Sequence, residues 1–188
     1  MGEYYFSGVG FYDLQESRKK NQEYALRQQE FNKQAGRIKS FENKKDRTAF
    51  LKQQFLEKDE FINTATNSQL MRIFVAFRDL GNFDEMVAFY DKCTNETFKN
   101  SLMVNELLMV GYNKSGVPAP DKTIELANKL IKENRVSGDV YGALGKAYKI
   151  KSNQAASQQE SIMYLQKSAD AYEAGFAKFA EFYPGINA

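Results

Sequence analysis

Residues 70–93 read LMRIFVAFRDLGNFDEMVAFYDKC. Leu70, Ile73, Phe74 and Phe77 recur at the three- and four-residue spacing that puts side chains on one face of a helix. Gly81 stops that run, and Gly81-Asn82 reads as the turn. Phe83, Met86, Val87, Phe89 and Tyr90 then form a second helical face. Thr66-Asn67-Ser68-Gln69 fits a capping box ahead of the first helix, and Asn82 with Glu85 fits another ahead of the second. The stretch is two amphipathic helices joined by a turn.

Such a hairpin cannot bury its apolar faces alone, so copies must stack, with a period of about 34 residues. Phe77, Tyr112 and Tyr148 are 35 and 36 positions apart, each near the end of a first helix, and Gly116 answers to Gly81. The second unit is expected to run from Phe98 to Asn113 and to resume at Pro120, a residue suited to the first helical position. Ile124, Ala127, Leu130 and Ile131 supply its apolar face. In the third unit large Tyr141, Leu144 and Tyr148 alternate with small Gly145 and Ala147, which lets neighbouring helices approach closely. A polar loop is expected over 151–156, followed by a capping box at Ser157–Glu160 and a helix whose face is Ile162, Leu165, Ala169, Tyr172 and Phe176. The predicted fold is all-α, a tetratricopeptide-like solenoid of helical hairpins with an N-terminal helical lead-in.

The expected divisions are a flexible arm at 1–12, N-terminal helices at 13–65 packing on the repeats, and three helix pairs at 66–182. In the lead-in, Tyr24, Phe31 and Ile38 recur every seven residues with Ala35 between the last two, a thin stripe that Gln28 and Glu42 interrupt. A second lead-in helix is expected over 46–62, with Phe50, Leu51, Phe55, Leu56, Phe61 and Ile62 on its apolar face.

The bulk composition narrows the function. Net charge is +2 with basic and acidic residues interleaved, not the clustered excess that nucleic-acid binding requires. The chain has no histidine, so Ser-His and Cys-His couples are absent, and its one cysteine builds neither disulfide nor zinc site. Neither catalysis nor a metal or other cofactor is expected. Cys93 reads as a buried, inert thiol. Asp84, Glu85 and Asp121 sit at helix starts, where the helix dipole alone favours negative charge. Met103 and Met109 read as core filler, and most aromatics fall on the buried period. No run approaches the ~18 apolar residues of a membrane span. Met1-Gly2 opens like a myristoylation site, but Phe6 stands where Ser or Thr is needed. A cytoplasmic location with no membrane contact is expected.

Phe77-Arg78-Asp79, Phe83-Asp84 with Met86-Val87, Asp121-Lys122, Gly145-Lys146-Ala147-Tyr148-Lys149 and the closing Gly175-Phe176 to Tyr183-Pro184-Gly185-Ile186-Asn187 together resemble the TRAFs-binding domain. That domain belongs to the apoptosis signal-regulating kinases and to bacterial proteins without the kinase. The resemblance covers about residues 65–188 and implies a tetratricopeptide solenoid that docks signalling partners. TRAF proteins themselves are not assigned to this chain. The family continues past Gly-Ile-Asn into another helix pair, so residues 183–188 are expected to begin a further, truncated helix.

First helices line the concave groove of such a stack. The spacing puts Met71, Val75, Arg78 and Asp79 there from unit one, Glu106, Val110, Asn113 and Lys114 from unit two, and Lys146 and Lys149 from unit three. The groove is mixed in charge and basic toward its C-terminal end, suited to a protein or peptide segment carrying carboxylates. The plain alternative is a solvated helix face. Arg78-Asp79 reads as a charge pair beside the turn, holding the two helices. The expected function is a protein-interaction scaffold, a signalling adaptor or regulatory module. The alternative is a homo-oligomer formed through the N-terminal helices.

Overall fold

The computed structural model describes residues 9–180, with side chains from residue 15 onward. No strand occurs among these residues, and the architecture is all-α. Most of the arm expected at 1–12 lies outside the described residues, as do the start of a further helix at 183–188 and the closing Tyr183–Asn187 motif. The chain forms two compact units, residues 1–47 and 48–188.

In the first unit, helix α1 spans Val9–Arg37 and a short 3-10 turn follows at Ile38–Ser40. Phe31 and Ala35 are buried, whereas residues 15–30 are exposed except for half-buried Gln28. Asn43 begins the next helix by accepting a hydrogen bond from the Asp46 N–H at 2.8 Å. Helix α2, Lys44–Leu51, carries the chain into the second unit.

The second unit opens with a π-helical turn at Lys52–Leu56 and helix α3 at Asp59–Thr64. The single helix expected over 46–62 is therefore broken after Leu56. The π turn brings Phe50, Leu51, Phe55 and Leu56 inward together, which a continuous 3.6-residue period would not do. Next comes α4, Asn67–Asp79, started by the expected capping box: Thr66 Oγ1 accepts from Gln69 N and Gln69 Oε1 accepts from Thr66 N. Gly81, at φ 66°, closes it: Gly81 N donates to Arg78 O and Asn82 N to Phe77 O.

Helix α5, Phe83–Lys92, starts without the expected second box. Asn82 instead donates to Thr48 Oγ1 at 2.6 Å, and Glu85 pairs with Lys52 at 3.4 Å. Both groups serve a neighbouring element rather than their own helix. The first helix of unit two is likewise split, into α6 at Glu96–Lys99 and α7 at Leu102–Lys114. Asn95 caps the short piece by accepting from Phe98 N. Helix α8, Pro120–Lys132, has its proline in the first turn as expected.

Gly116 is no counterpart of Gly81 in conformation. Its N–H is held by the Asp84 carboxylate at 3.0 Å. The left-handed turn in this unit falls later, at Asn134, φ 53°, where Arg135 N donates to Leu130 O.

Helix α9 runs from Gly138 to Gln154, so most of the loop expected over 151–156 is helical. Helix α10 spans Gln158–Phe179. Ser157 caps it by accepting from Glu160 N, but the Glu160 carboxylate accepts from Ala156 N, one residue short of a full box. The α10 face turned inward is Ser168, Ala171, Tyr172 and Gly175, while Ile162, Leu165 and Phe176 stay about half exposed. Only Tyr172 of the apolar face expected for this helix is fully buried. The glycine- and alanine-rich surface of α9 admits small residues and one ring, and that selects the buried side.

Leu70, Ile73, Phe74, Phe77, Met86, Phe89 and Phe98 are sealed from solvent around α4 and α5, with Phe74 and Phe98 edge to face at 5.6 Å. Met109, Ala127, Leu130, Val140, Ala143, Leu144 and Ala171 form a buried cluster across α7 to α10. Helices α9 and α10 approach closely, and a Cβ on Gly145 would lie 2.7 Å from Cε2 of Tyr172. Tyr172 is 1% exposed, so its ring has nowhere to move.

Gly145→Ala is accordingly expected to destabilise the protein by about 2 kcal/mol. Overpacking against a closed-in ring costs up to about 3 kcal/mol, and the better helix propensity of alanine returns about 1. Urea denaturation measures the difference, and a variant as stable as the parent would refute the close approach.

Candidate functional site

The first helices α4, α7 and α9 converge on one side of the second unit around a cleft of about 450 Å³. Its apolar surface comes from Met103, Leu107, Val110, Gly142 and Ala143. Around these stand Arg78, Glu106, Lys114, Asp139 and Lys146. The volume lies within the ~300–1,000 Å³ typical of ligand pockets.

The walls are held by hydrogen bonds between helices. Asn113 donates to the carbonyl of Ala143 at 3.0 Å and accepts from Thr123 Oγ1 at 3.0 Å, joining α7, α8 and α9 at one buried amide. Ser137, at the start of α9, donates to Glu106 of α7 at 2.5 Å. Gly142 and Ala143 add almost no side chain, which leaves the cleft open between α7 and α9.

Six residues assigned to the groove from spacing meet in this cleft: Arg78, Glu106, Val110, Asn113, Lys114 and Lys146. Asn113 lines it but is 7% exposed, with its amide engaged in the helix junction. Met71 and Val75 are half-buried on α4 and do not line the cleft. Lys149 also lies off it, its ammonium 4.9 Å from the centre of the Tyr172 ring. Asp79 binds Arg78 on the same helix, through Nε at 2.9 Å and Nη2 at 2.7 Å. The pair therefore does not clamp the two helices of the hairpin, contrary to expectation, and as an exposed pair it contributes ~0–1 kcal/mol.

Met103 is a further correction. It is 51% exposed at the cleft rather than core filler, whereas Met109 is fully buried. Sequence reasoning also passed over Leu107, Asp139, Gly142 and Ala143. The spacing of Met103, Glu106, Leu107, Val110 and Asn113 is a helical stripe, and it was visible in the sequence. Nothing there marked it as the open side, because α7 is apolar on its buried side as well.

The cations differ in their surroundings. Lys114 lies 5.5 Å from the centre of the Phe83 ring, and Lys146 is exposed. Neither has an ion-pair partner among the described residues.

The carboxylates at helix starts are structural. Asp84 holds Gly116, Glu85 holds Lys52, and Asp121 bonds Lys151 at 2.6 Å, a contact that raises the lysine's pKa. Among the described residues no group of three His, Cys, Asp or Glu could hold a metal ion. No described helix is long and apolar enough to cross a membrane.

The family model described as Tetratricopeptide Repeats-Sensor matches residues 82–188, more than half of the chain. The chain belongs to this family. In this Tetratricopeptide Repeats-Sensor chain the matched span takes in α5 to α10, and with them every cleft residue except Arg78. Domains of this type generally bind proteins, and they are generally not enzymes. No curated protein and no solved structure gives a significant match.

Cys93, at the end of α5, is 1% exposed. Burial pushes its thiol from 9.0 up to about 11, with Lys99 pulling weakly the other way. The thiol is expected to resist Ellman's reagent in the native protein and to react on unfolding. Its folded pKa lies above the unfolded one, so its stabilising contribution is whole below pH 9 and is lost as the pH rises toward 11. Cys93→Ala should flatten the fall in stability across that window. An equally steep fall in the variant would assign the loss to tyrosine ionisation instead.

Proposed function

We propose that the second unit is a protein-interaction scaffold that receives an extended protein segment in the cleft between α4, α7 and α9. The segment seats an apolar side chain against Met103, Leu107, Val110 and Ala143. A neighbouring carboxylate meets Lys114 and Lys146. The observation that carries this reading is the pairing of an open apolar surface with two lysines lacking ion-pair partners among the described residues.

The family's description as a sensor and the resemblance to the TRAFs-binding domain both support a role in signalling, as an adaptor or regulatory module. Arg78, Glu106, Lys114 and Lys146 are the partner-binding residues under this reading. Asn113 holds the cleft in shape, and Met71, Val75 and Lys149 fall outside it.

The exposed helix α1 favours a second reading, self-association. Tyr24 and Leu26 are 56% and 64% exposed on a helix of 29 residues. Light scattering on the full chain and on a Tyr24→Ser, Leu26→Ser variant separates the two. A monomer in both removes self-association through this surface.

Selection of a random displayed peptide library on the protein tests the cleft directly. The expected sequences join Asp or Glu to Leu, Ile, Met or Phe. Reversal of Lys114 and Lys146 to Glu should weaken their binding by about tenfold or more without changing the melting temperature. Lys149→Glu serves as the comparison off the cleft. Enriched basic peptides, or equal binding by the double variant, would overturn the proposal.

A further inference from the structure

Helix α7 has a second working side. Asn105 lies about 200° around the helix from Met103, away from the cleft. A recess of about 190 Å³ opens there between α5, α6, α7 and the end of α8. Its polar lining includes Tyr90, Glu96, Lys99, Asn105, Lys129 and Arg135.

Asn105 is only 5% exposed, and its side-chain amide has no hydrogen-bond partner among the described residues. Yet no wholly buried side-chain nitrogen or oxygen among those residues lacks a partner. The amide must therefore open into the recess it lines, offering two N–H donors and an acceptor to whatever fills it.

Charge points to the nature of that occupant. Three cations line the recess against one carboxylate, Glu96. Lys99 stands 4.8 Å over the Tyr90 ring. Arg135 donates to Asn100 O and pairs with Glu133 at 3.2 Å, which neutralises it in part. Lys129 is exposed and has no ion-pair partner among the described residues. Burial raises the Tyr90 phenol above its ordinary value, so it remains a neutral O–H group. The recess is smaller than the ~300 Å³ at which drug-sized pockets begin. It suits a compact, multiply charged anion with few attached atoms.

We propose that this recess binds a phosphoryl group, as inorganic phosphate or a small phosphate monoester. Lys99, Lys129 and Arg135 supply the charge, and Asn105 donates to an oxygen. A phosphoryl group carries about −1.5 to −2 charges near neutral pH, closer to the positive excess of the lining than one carboxylate would be. The site is separate from the cleft and stands whether or not the cleft binds a protein segment.

The test is a titration of the full chain followed by the side-chain amide resonances of Asn105. Sodium phosphate and O-phosphoserine are the probes, with sodium chloride at matched ionic strength as control. Saturable shifts are expected with the phosphates and not with chloride. Lys129→Glu should weaken binding by about tenfold or more while leaving the melting temperature unchanged, and Lys99→Gln should weaken it in the same direction. Tighter binding of O-phosphoserine assigns the ester as ligand, and equal binding assigns the free anion. Absence of a saturable shift, an equal response to chloride, or unaltered affinity in both variants would overturn the proposal.

Discussion

The amide of Asn113 is the interaction on which the arrangement of the second unit most depends. One buried side chain donates to the Ala143 carbonyl on α9 and accepts from Thr123 on α8, while belonging to α7. Apolar packing between helices is tolerant of small rotations and slides. A buried amide is not, because losing either partner leaves a polar group unsatisfied at about 1–3 kcal/mol. This junction fixes α7 against α9, and those two helices carry most of the cleft lining.

The same logic repeats along the chain at the period of the repeat. Thr48 meets Asn82, Lys52 meets Glu85, Asp84 meets Gly116, Glu106 meets Ser137, and Asn100 meets Arg135. Each pair spans 31–35 residues. These contacts join elements of successive units rather than the two helices of one hairpin. Individually exposed pairs add little stability. Their placement sets how successive hairpins are rotated, which apolar burial alone leaves loose. Close packing completes the lock where Gly145 receives the Tyr172 ring.

Helix α7 keeps two open sides in this stacking. Its fully buried residues Val104, Leu108 and Met109 anchor it in the core. Met103, Leu107 and Val110 then face the cleft, and Asn105 faces the recess. A helix hydrophobic over most of its circumference is normally wholly enclosed. Here two openings remain, one apolar with lysines at its edge and one polar and basic. The proposed ligands differ accordingly, a protein segment in the first and a phosphoryl group in the second.

The helical class, the hairpin at 70–93, the Thr66 box, the Gly81 turn and the proline start of α8 were legible in the local pattern. These rest on interactions within a few residues, so local pattern suffices to read them. It also brought six cleft residues together on spacing alone, because first helices of a stack share one side. Which apolar side of α7 and α10 is buried was set by packing, since both helices carry apolar residues on more than one side. It alone diverted Asn82 and Glu85 from capping to Thr48 and Lys52, and turned Met103 outward while keeping Met109 in. Those outcomes depend on partners some thirty residues away, and a side chain's best partner is set by what the stack brings beside it.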